Sequence, residues 1–258
     1  YMIDEWNPDE EFNVMIFQKR VKEIMEDIYN RGKIPILVGG TGFYIQAVLN
    51  DIAFTKEKQG DEIRADLQNL AKEKGAFYLH HELQKVDKES AEAIHPNNIK
   101  RVIRALEYFQ STGQKFSEHN KEERQKSSPY NFLYLVLTMN REVLYERIDK
   151  RVDQMMEEGL VKEVKQLLDV GYSRNLVSMQ GLGYKEIASA LFKECTMEEA
   201  VYRLKRDTRH FAKRQMTWFR RERDVTMINK DNFLNNHEIV NYIMKLAVEK
   251  GICSCREG

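Results

Sequence analysis

The chain has 258 residues, and its 41 basic side chains balance 41 acidic ones, so the formal net charge is zero. Hydrophobic residues make up 42% and charged residues 32%, which excludes a disordered chain. No apolar run approaches the roughly 20 residues that cross a bilayer, so a membrane protein is excluded as well. Only 4 prolines and 13 glycines, beside abundant Lys, Glu, Arg and Leu, indicate a helix-rich protein.

The cysteines Cys195, Cys253 and Cys255 are odd in number and do not suit a disulfide framework. They favour a reducing compartment, and we expect a cytoplasmic protein. Cys253 and Cys255 could contribute to a metal site, but two ligands without a second pair rarely suffice.

The first 53 residues follow an α/β order. Residues 11–31 have helical apolar spacing and end at Arg31-Gly32, which is a common helix stop. Lys33–Val38 is a short apolar run that predicts a strand buried on both faces. Gly39-Gly40-Thr41-Gly42 then predicts a turn, and the helical pattern resumes from 43 to 49.

The rest of the chain divides into a helical insertion and a return to the core. Residues 54–128 show only helical periods and predict an inserted helical subdomain. A second buried strand is predicted at 132–137, helices at 141–170, 183–193 and 197–222, and a third strand at 225–229. The predicted domains are therefore a core of 1–53 with 129–258, and an insertion of 54–128.

The glycine turn is the first candidate site. Glycines let a ligand approach the backbone, and the amides that open the next helix favour an anion. Thr41 would add a hydroxyl donor. The spacing fits neither the dinucleotide fingerprint nor a P-loop. A tight strand-to-helix turn without a ligand is an equally good interpretation.

Three further motifs carry cations or an exposed ring. Lys100, Arg101 and Arg104 open a predicted helix, where they oppose its dipole and suggest a phosphate partner. Arg147 and Arg151 share one helix face, Asp149 and Asp153 are expected to position them, and paired guanidinium groups suit diphosphate oxygens. The turn at 179–184, followed by Lys185, suits an unstacked base. Solvated charge, a surface ion-pair ladder and a plain helix-linking turn are the respective alternatives.

The stretch 203–223 is the strongest motif. It holds nine cations against Asp207 and Glu222, interleaved with Phe211, Trp218 and Phe219. In a chain without net charge this local cluster favours nucleic-acid binding. A snorkelling core helix is the alternative, with Trp218 as the core anchor.

Taken together, these segments resemble the tRNA dimethylallyltransferase family, also called isopentenyl-diphosphate:tRNA transferases. The resemblance rests on five motifs in the family's order: LVGGTGFY at 37–44, HPNN with R and RALE at 95–107, R...RVDQM at 147–155, GLGY at 181–184, and R...KRQMTWFR at 209–220.

The resemblance implies an α/β fold with a P-loop-NTPase-like core, a helical insertion and a helix-rich whole. It implies transfer of a dimethylallyl group from dimethylallyl diphosphate to N6 of the adenosine 3′-adjacent to the anticodon. Mg²⁺ is the implied cofactor, and its ligands are expected in the segment upstream of Tyr1. The expected partner is the tRNA anticodon stem-loop, and we expect a monomer. The family's GxTxxGKT loop and its Asp-Ser segment with the general-base Asp do not occur in these residues. Tyr1–Asp4 matches the family just downstream of them, so we expect tens of residues to precede Tyr1 in the full protein.

The family's site residues carry over by position. Thr41 and Arg151 correspond to catalytic residues, and Gly39, Gly40, Thr41, Arg147 and Arg151 to diphosphate-binding residues. The implied tRNA contacts are Arg64, Lys100, Arg101, Val102, Ile103, Arg104, Met179, Gln180, Gly181, Leu182, Gly183, Tyr184, Lys213, Arg214, Gln215, Trp218 and Arg220. A non-catalytic RNA-binding module that uses the 203–223 helix is the alternative. A P-loop nucleotide kinase is a third option, but it would need a Walker lysine, which these residues lack.

Overall fold

The computed structural model describes residues 1–54 and 60–254. The helices, in chain order, are α1 (Val14–Asn30), α2 (Gly42–Leu49), α3 (Gly60–Lys74), α4 (Ala76–Val86), α5 (Lys88–Ala93), α6 (Ile99–Thr112), α7 (Phe116–Gln125), α8 (Arg141–Glu157), α9 (Leu160–Val170), α10 (Tyr184–Leu191), α11 (Met197–Phe219) and α12 (Asn236–Glu249). The strands are β1 (Tyr134–Thr138) and β2 (Val225–Asn229), and short 3₁₀ turns cover Ser178–Gln180 and Lys230–Asn232. No helix within the described residues is both long enough and apolar enough to span a membrane.

The chain divides into two compact units. The first consists of Tyr1–Ile45 and Tyr130–Gly258, and the second of Gln46–Pro129. Each unit has its own hydrophobic core, since Val152, Leu160 and Ile187 cluster in the first and Leu67, Leu83 and Val102 in the second.

The first predicted helix is confirmed as α1, which begins two residues after Phe12. The side-chain oxygen of Asn13 accepts hydrogen bonds from the amides of Met15 and Ile16, and this cap fixes the start of the helix. Its buried face includes Val21 and Ile24.

The predicted strand at 33–38 is wrong. Ile36 is 83% exposed and Val38 87% exposed, and the segment forms no strand in the structure. A strand needs a neighbouring backbone, and in the described residues β1 and β2 pair only with each other. The apolar β-branched composition of the segment supplies strand propensity but no partner.

The two later strands are confirmed as a parallel pair. Their register runs from Tyr134 opposite Val225 to Thr138 opposite Asn229. Val136 and Ile228 are buried, but Leu137 is 52% exposed. The prediction of a buried strand is therefore confirmed for one face only.

The predicted helix at 141–170 is two helices. Gly159 has a φ of +105°, a left-handed conformation that glycine adopts without steric cost. This residue separates α8 from α9, and both helices contribute to the core of the first unit. The helices predicted at 183–193 and 197–222 correspond to α10 and α11.

Candidate functional site

The glycine turn presents Thr41 at the start of α2. The carbonyl of Thr41 accepts hydrogen bonds from the amides of Tyr44 and Ile45, at 3.0 and 3.2 Å. The residue therefore begins the helix, and its side chain is exposed. A hydroxyl at the positive end of a helix can donate to an anionic oxygen.

Side chains of α11 occupy the space beside two of the glycines. Nε2 of Gln215 donates to the carbonyl oxygen of Gly40 at 2.8 Å, and a Cβ on Gly40 would overlap this nitrogen. A Cβ on Gly42 would overlap the indole ring of Trp218. Of these three glycines, only Gly39 could carry a Cβ with no other heavy atom within 4 Å. On the side where a Cβ would point, Gly40 and Gly42 are therefore covered by α11, and the contact of Gly39 and Gly40 with a diphosphate stays a prediction.

The cations of α11 fall into two groups along the helix. In the first half, Arg203 pairs with Glu199 and Arg206 with Asp207, and two others pair with α8. In the second half, Lys213 and Arg214, with Arg220 and Arg221 directly after the helix, form no ion pair within the described residues. The charge available to a polyanion is therefore concentrated near the glycine turn rather than spread over 203–223.

Two carboxylates of α8 hold the first half of α11. Asp149 accepts from Arg209 at 2.5 and 2.8 Å, and Asp153 lies 2.6 Å from Nζ of Lys205. The expectation that these acidic residues position Arg147 and Arg151 is therefore wrong. The spacing of four in both helices is a signal that sequence reasoning missed, since it allows a two-rung ladder between antiparallel helices.

Arg147 and Arg151 are left free by this ladder. Each is two residues from Asp149, about 200° around the helix, and so on the opposite face. Both are exposed and form no ion pair in the part of the chain that the structure describes. Within residues 1–54 and 60–254, neither arginine forms a hydrogen bond with the glycine turn.

Phe219, rather than Trp218, anchors the end of α11. Phe219 is 7% exposed and packs edge-on against Tyr134, with ring centroids 6.2 Å apart. Trp218 is 39% exposed and lies against Gly42. The expectation that Trp218 is the core anchor is therefore wrong.

Most side chains of the turn at 179–184 are buried or form hydrogen bonds with other residues of the protein. Met179 is 1% exposed, and Nε2 of Gln180 donates to the carbonyl of Arg174 at 2.7 Å. The hydroxyl of Tyr184 donates to Glu163, and burial together with this bond raises the pKa of Tyr184 to about 12. Tyr184 is half-buried, and its contact with a base stays a prediction. Gly181 is exposed, Leu182 is half-buried and Gly183 is buried.

The candidate tRNA contacts in the second unit include both buried apolar residues and arginines that form ion pairs. Val102 and Ile103 are 0% and 4% exposed, so their side chains belong to the core and the expectation of direct tRNA contact is wrong for them. Arg64 and Arg104 both bind the carboxylate of Glu107, at 2.8 and 3.1 Å. That carboxylate is 3% exposed, so a large part of their role is structural.

Two exposed cations remain at the start of α6. Lys100 and Arg101 form no ion pair in the described residues of the second unit, and both side chains face solvent. They are the members of this motif that can reach an anionic ligand.

The described residues do not fit a magnesium site. No three His, Cys, Asp or Glu side chains among them lie close enough together to hold a metal ion. The glycine turn offers a hydroxyl and backbone groups but no carboxylate, which is the ligand that Mg²⁺ prefers. Cys253 is a free thiol, and Cys255 lies outside the described residues.

Comparison of the sequence with known families gives a match over most of the chain. The sequence profile of the IPP transferase family covers residues 1–222. The chain belongs to the IPP transferase family. Among its relatives, the tRNA dimethylallyltransferase of Lachnoclostridium phytofermentans is 56% identical over 252 residues, which are 98% of this chain and 80% of that protein. The enzyme of the same name from Acetivibrio thermocellus is 47% identical over the same shares.

Solved structures of IPP transferases share the fold. The tRNA isopentenylpyrophosphate transferase of Bacillus halodurans has a TM-score of 0.68 at 41% identity, over 97% of this chain and 79% of that one. A eukaryotic dimethylallyltransferase acting on tRNA has a TM-score of 0.73 at 27% identity, over 93% of this chain and 64% of that one. The resemblance drawn from five sequence motifs is thereby confirmed.

Proposed function

We propose that this IPP transferase family member transfers a dimethylallyl group from dimethylallyl diphosphate to N6 of the adenosine 3′-adjacent to the anticodon of tRNA. Its relatives named tRNA dimethylallyltransferase are 47–56% identical over 98% of the chain. The observation that supports the site is the hydrogen bond from Gln215 to Gly40. It places the glycine turn, with the exposed hydroxyl of Thr41, beside the end of α11, where the cations form no ion pair within the described residues.

The chemistry requires charge stabilisation on the leaving group. The bond between the allylic carbon and the diphosphate oxygen breaks, the bond between N6 and that carbon forms, and N6 loses a proton. Negative charge therefore grows on the diphosphate, and donors already in place there lower the barrier. We assign this role to the Thr41 hydroxyl, the backbone at Gly39 and Gly40, and the exposed guanidinium group of Arg151, with Arg147 beside it.

The cations at the end of α11 suit the RNA backbone. Lys213, Arg214 and Arg220 are exposed and unpaired within the described residues. Each can contact a phosphate without first breaking an ion pair of the protein. Lys100 and Arg101 are proposed as further phosphate contacts. The P-loop-NTPase-like core and the magnesium cofactor stay proposals from the resemblance, and no step is assigned to the metal.

Replacement of Thr41 tests the diphosphate site. Thr41→Ala removes the hydroxyl, and we expect turnover to fall about 10-fold to 100-fold, because one donor to the developing charge is lost. Thr41→Ser is the matched control, since it keeps the hydroxyl and should keep most of the rate. The measurement is transfer of labelled dimethylallyl groups to unmodified tRNA by the full-length protein. Equal rates for wild type and Thr41→Ala would contradict the assignment.

A further inference from the structure

We propose that Gln215 and Trp218 are positioning residues, which hold the glycine turn so that Thr41 faces the diphosphate. The inference rests on the proposed function and deepens it. The resemblance assigns both side chains to tRNA, but the structure commits both to the turn. The end of α11 would then link the tRNA-binding cations directly to the diphosphate-binding turn.

Gln215 fixes the direction of a backbone amide. Its Nε2 donates to the carbonyl oxygen of Gly40 at 2.8 Å. The peptide bond from Gly40 to Thr41 is planar and trans, so the N–H of Thr41 points opposite to that carbonyl. With the carbonyl facing α11, the N–H of Thr41 points away from α11.

Both sides of Thr41 are therefore restrained. On the far side, its carbonyl is part of the first turn of α2 through the amides of Tyr44 and Ile45. The indole of Trp218 lies against Gly42, where any side chain would overlap the ring. The conformation of the turn thus depends on two side chains that are distant in sequence and close in space.

The same helix presents its cations on another side. Gln215 and Trp218 are three residues apart and share one face of α11. Lys213 lies about 200° around the helix from Gln215, and is exposed and unpaired among the described residues. One rigid helix therefore contacts the turn with one face and offers charge to RNA with another.

A double-mutant cycle tests this link with the full-length protein. Gln215→Ala removes the donor, and Gly40→Ala displaces it by steric overlap, so both break one contact. We expect each to lower kcat or raise the KM for dimethylallyl diphosphate about tenfold, with the Kd for an anticodon stem-loop unchanged. The combined variant should be no worse than the single ones, because the shared contact is lost only once.

Lys213→Ala and Gln215→Met serve as the control variants. Lys213→Ala should weaken stem-loop binding and leave the KM for the diphosphate unchanged. Gln215→Met keeps the length of the side chain but loses the donor without adding charge, so it should match Gln215→Ala and give a second reading if the Ala variant folds poorly. Additive losses, or a Gln215→Ala variant that behaves like Lys213→Ala, would overturn the proposal. A wild-type protein that transfers no label would instead refute the proposed function.

Discussion

At the scale of single residues, Arg151 is set apart by what its neighbours do. Asp149 and Asp153 flank it in sequence but bind Arg209 and Lys205 on α11. A guanidinium group without a carboxylate partner keeps its donors for a ligand, and its planar fork fits two diphosphate oxygens at once.

Replacement of Arg151 should therefore affect the diphosphate step rather than RNA binding. We expect Arg151→Ala to cost about 2–4 kcal/mol of transition-state stabilisation, because a bidentate charged contact is lost. Single-turnover transfer kinetics and stem-loop binding would separate the two steps. Lys150→Ala, an exposed neighbour on the same helix, is the control. A loss confined to tRNA affinity would refute the diphosphate role.

Asp87 is the centre of a buried hydrogen-bond network in the second unit. It is 1% exposed, and its carboxylate accepts four hydrogen bonds of 2.6–3.0 Å from the amides and hydroxyls of Ser90 and Ser117. Burial alone would raise the pKa of Asp87, but these bonds outweigh it and hold the pKa below the ordinary value of 3.8. The ionised form thus caps α5 and joins it to the start of α7.

The pH dependence of Asp87 has a definite sign. Because the pKa is lower in the folded state, ionisation stabilises the protein above about pH 4 and this stabilisation is lost as the pH falls further. Asp87→Asn should lower the free energy of unfolding by about 2–4 kcal/mol at neutral pH, since buried donors lose their acceptor. Urea unfolding measures it, and Asp66→Asn, at an exposed site of α3, is the control. Equal losses for the two variants would count against the network.

At the scale of elements, α11 performs two tasks along its length. Its first half is tied to α8 by Asp149 and Asp153, and its second half contacts the glycine turn through Gln215. The division predicts that the two halves respond differently when RNA binds, because a paired cation gains less from a phosphate than a free one.

The salt dependence of RNA binding tests this division. Replacing Lys213 and Arg214 by Ala should reduce the slope of log K against log salt by about 1–2, because fewer counterions are released. The matched control replaces Arg203 and Arg206, which are already paired on the same helix. Anisotropy of a labelled anticodon stem-loop at several salt concentrations gives the slopes. An unchanged slope for Lys213 with Arg214 would remove this end of the helix from the RNA site.

At the scale of the whole molecule, local pattern predicted most of the helices. Apolar spacing located α1, and the helical pattern from 43 to 49 located α2. The strand at 33–38 failed because pairing depends on a distant backbone, which local composition does not specify. The single helix predicted at 141–170 failed at Gly159, whose positive φ leaves no trace in apolar periodicity.

The residue types of the candidate site were predicted from the sequence, but their partners were not. Residue types and motif order pointed to Thr41, Arg151 and the cations of α11, and family comparison confirmed the family. The partners of those residues came only from the fold, since Gln215 and Gly40 are 175 positions apart. Which cations are free is likewise a tertiary property, because Arg209 finds its carboxylate 60 positions away.

The most direct measurement is the position of the label after transfer. The full-length protein is incubated with labelled dimethylallyl diphosphate and an unmodified tRNA, and the product is digested to nucleosides. Label on N6 of the adenosine next to the anticodon is the predicted result, and a tRNA with guanosine at that position should stay unlabelled. Binding of the stem-loop without any transfer would contradict the proposed transferase activity and favour the alternative, a non-catalytic RNA-binding module.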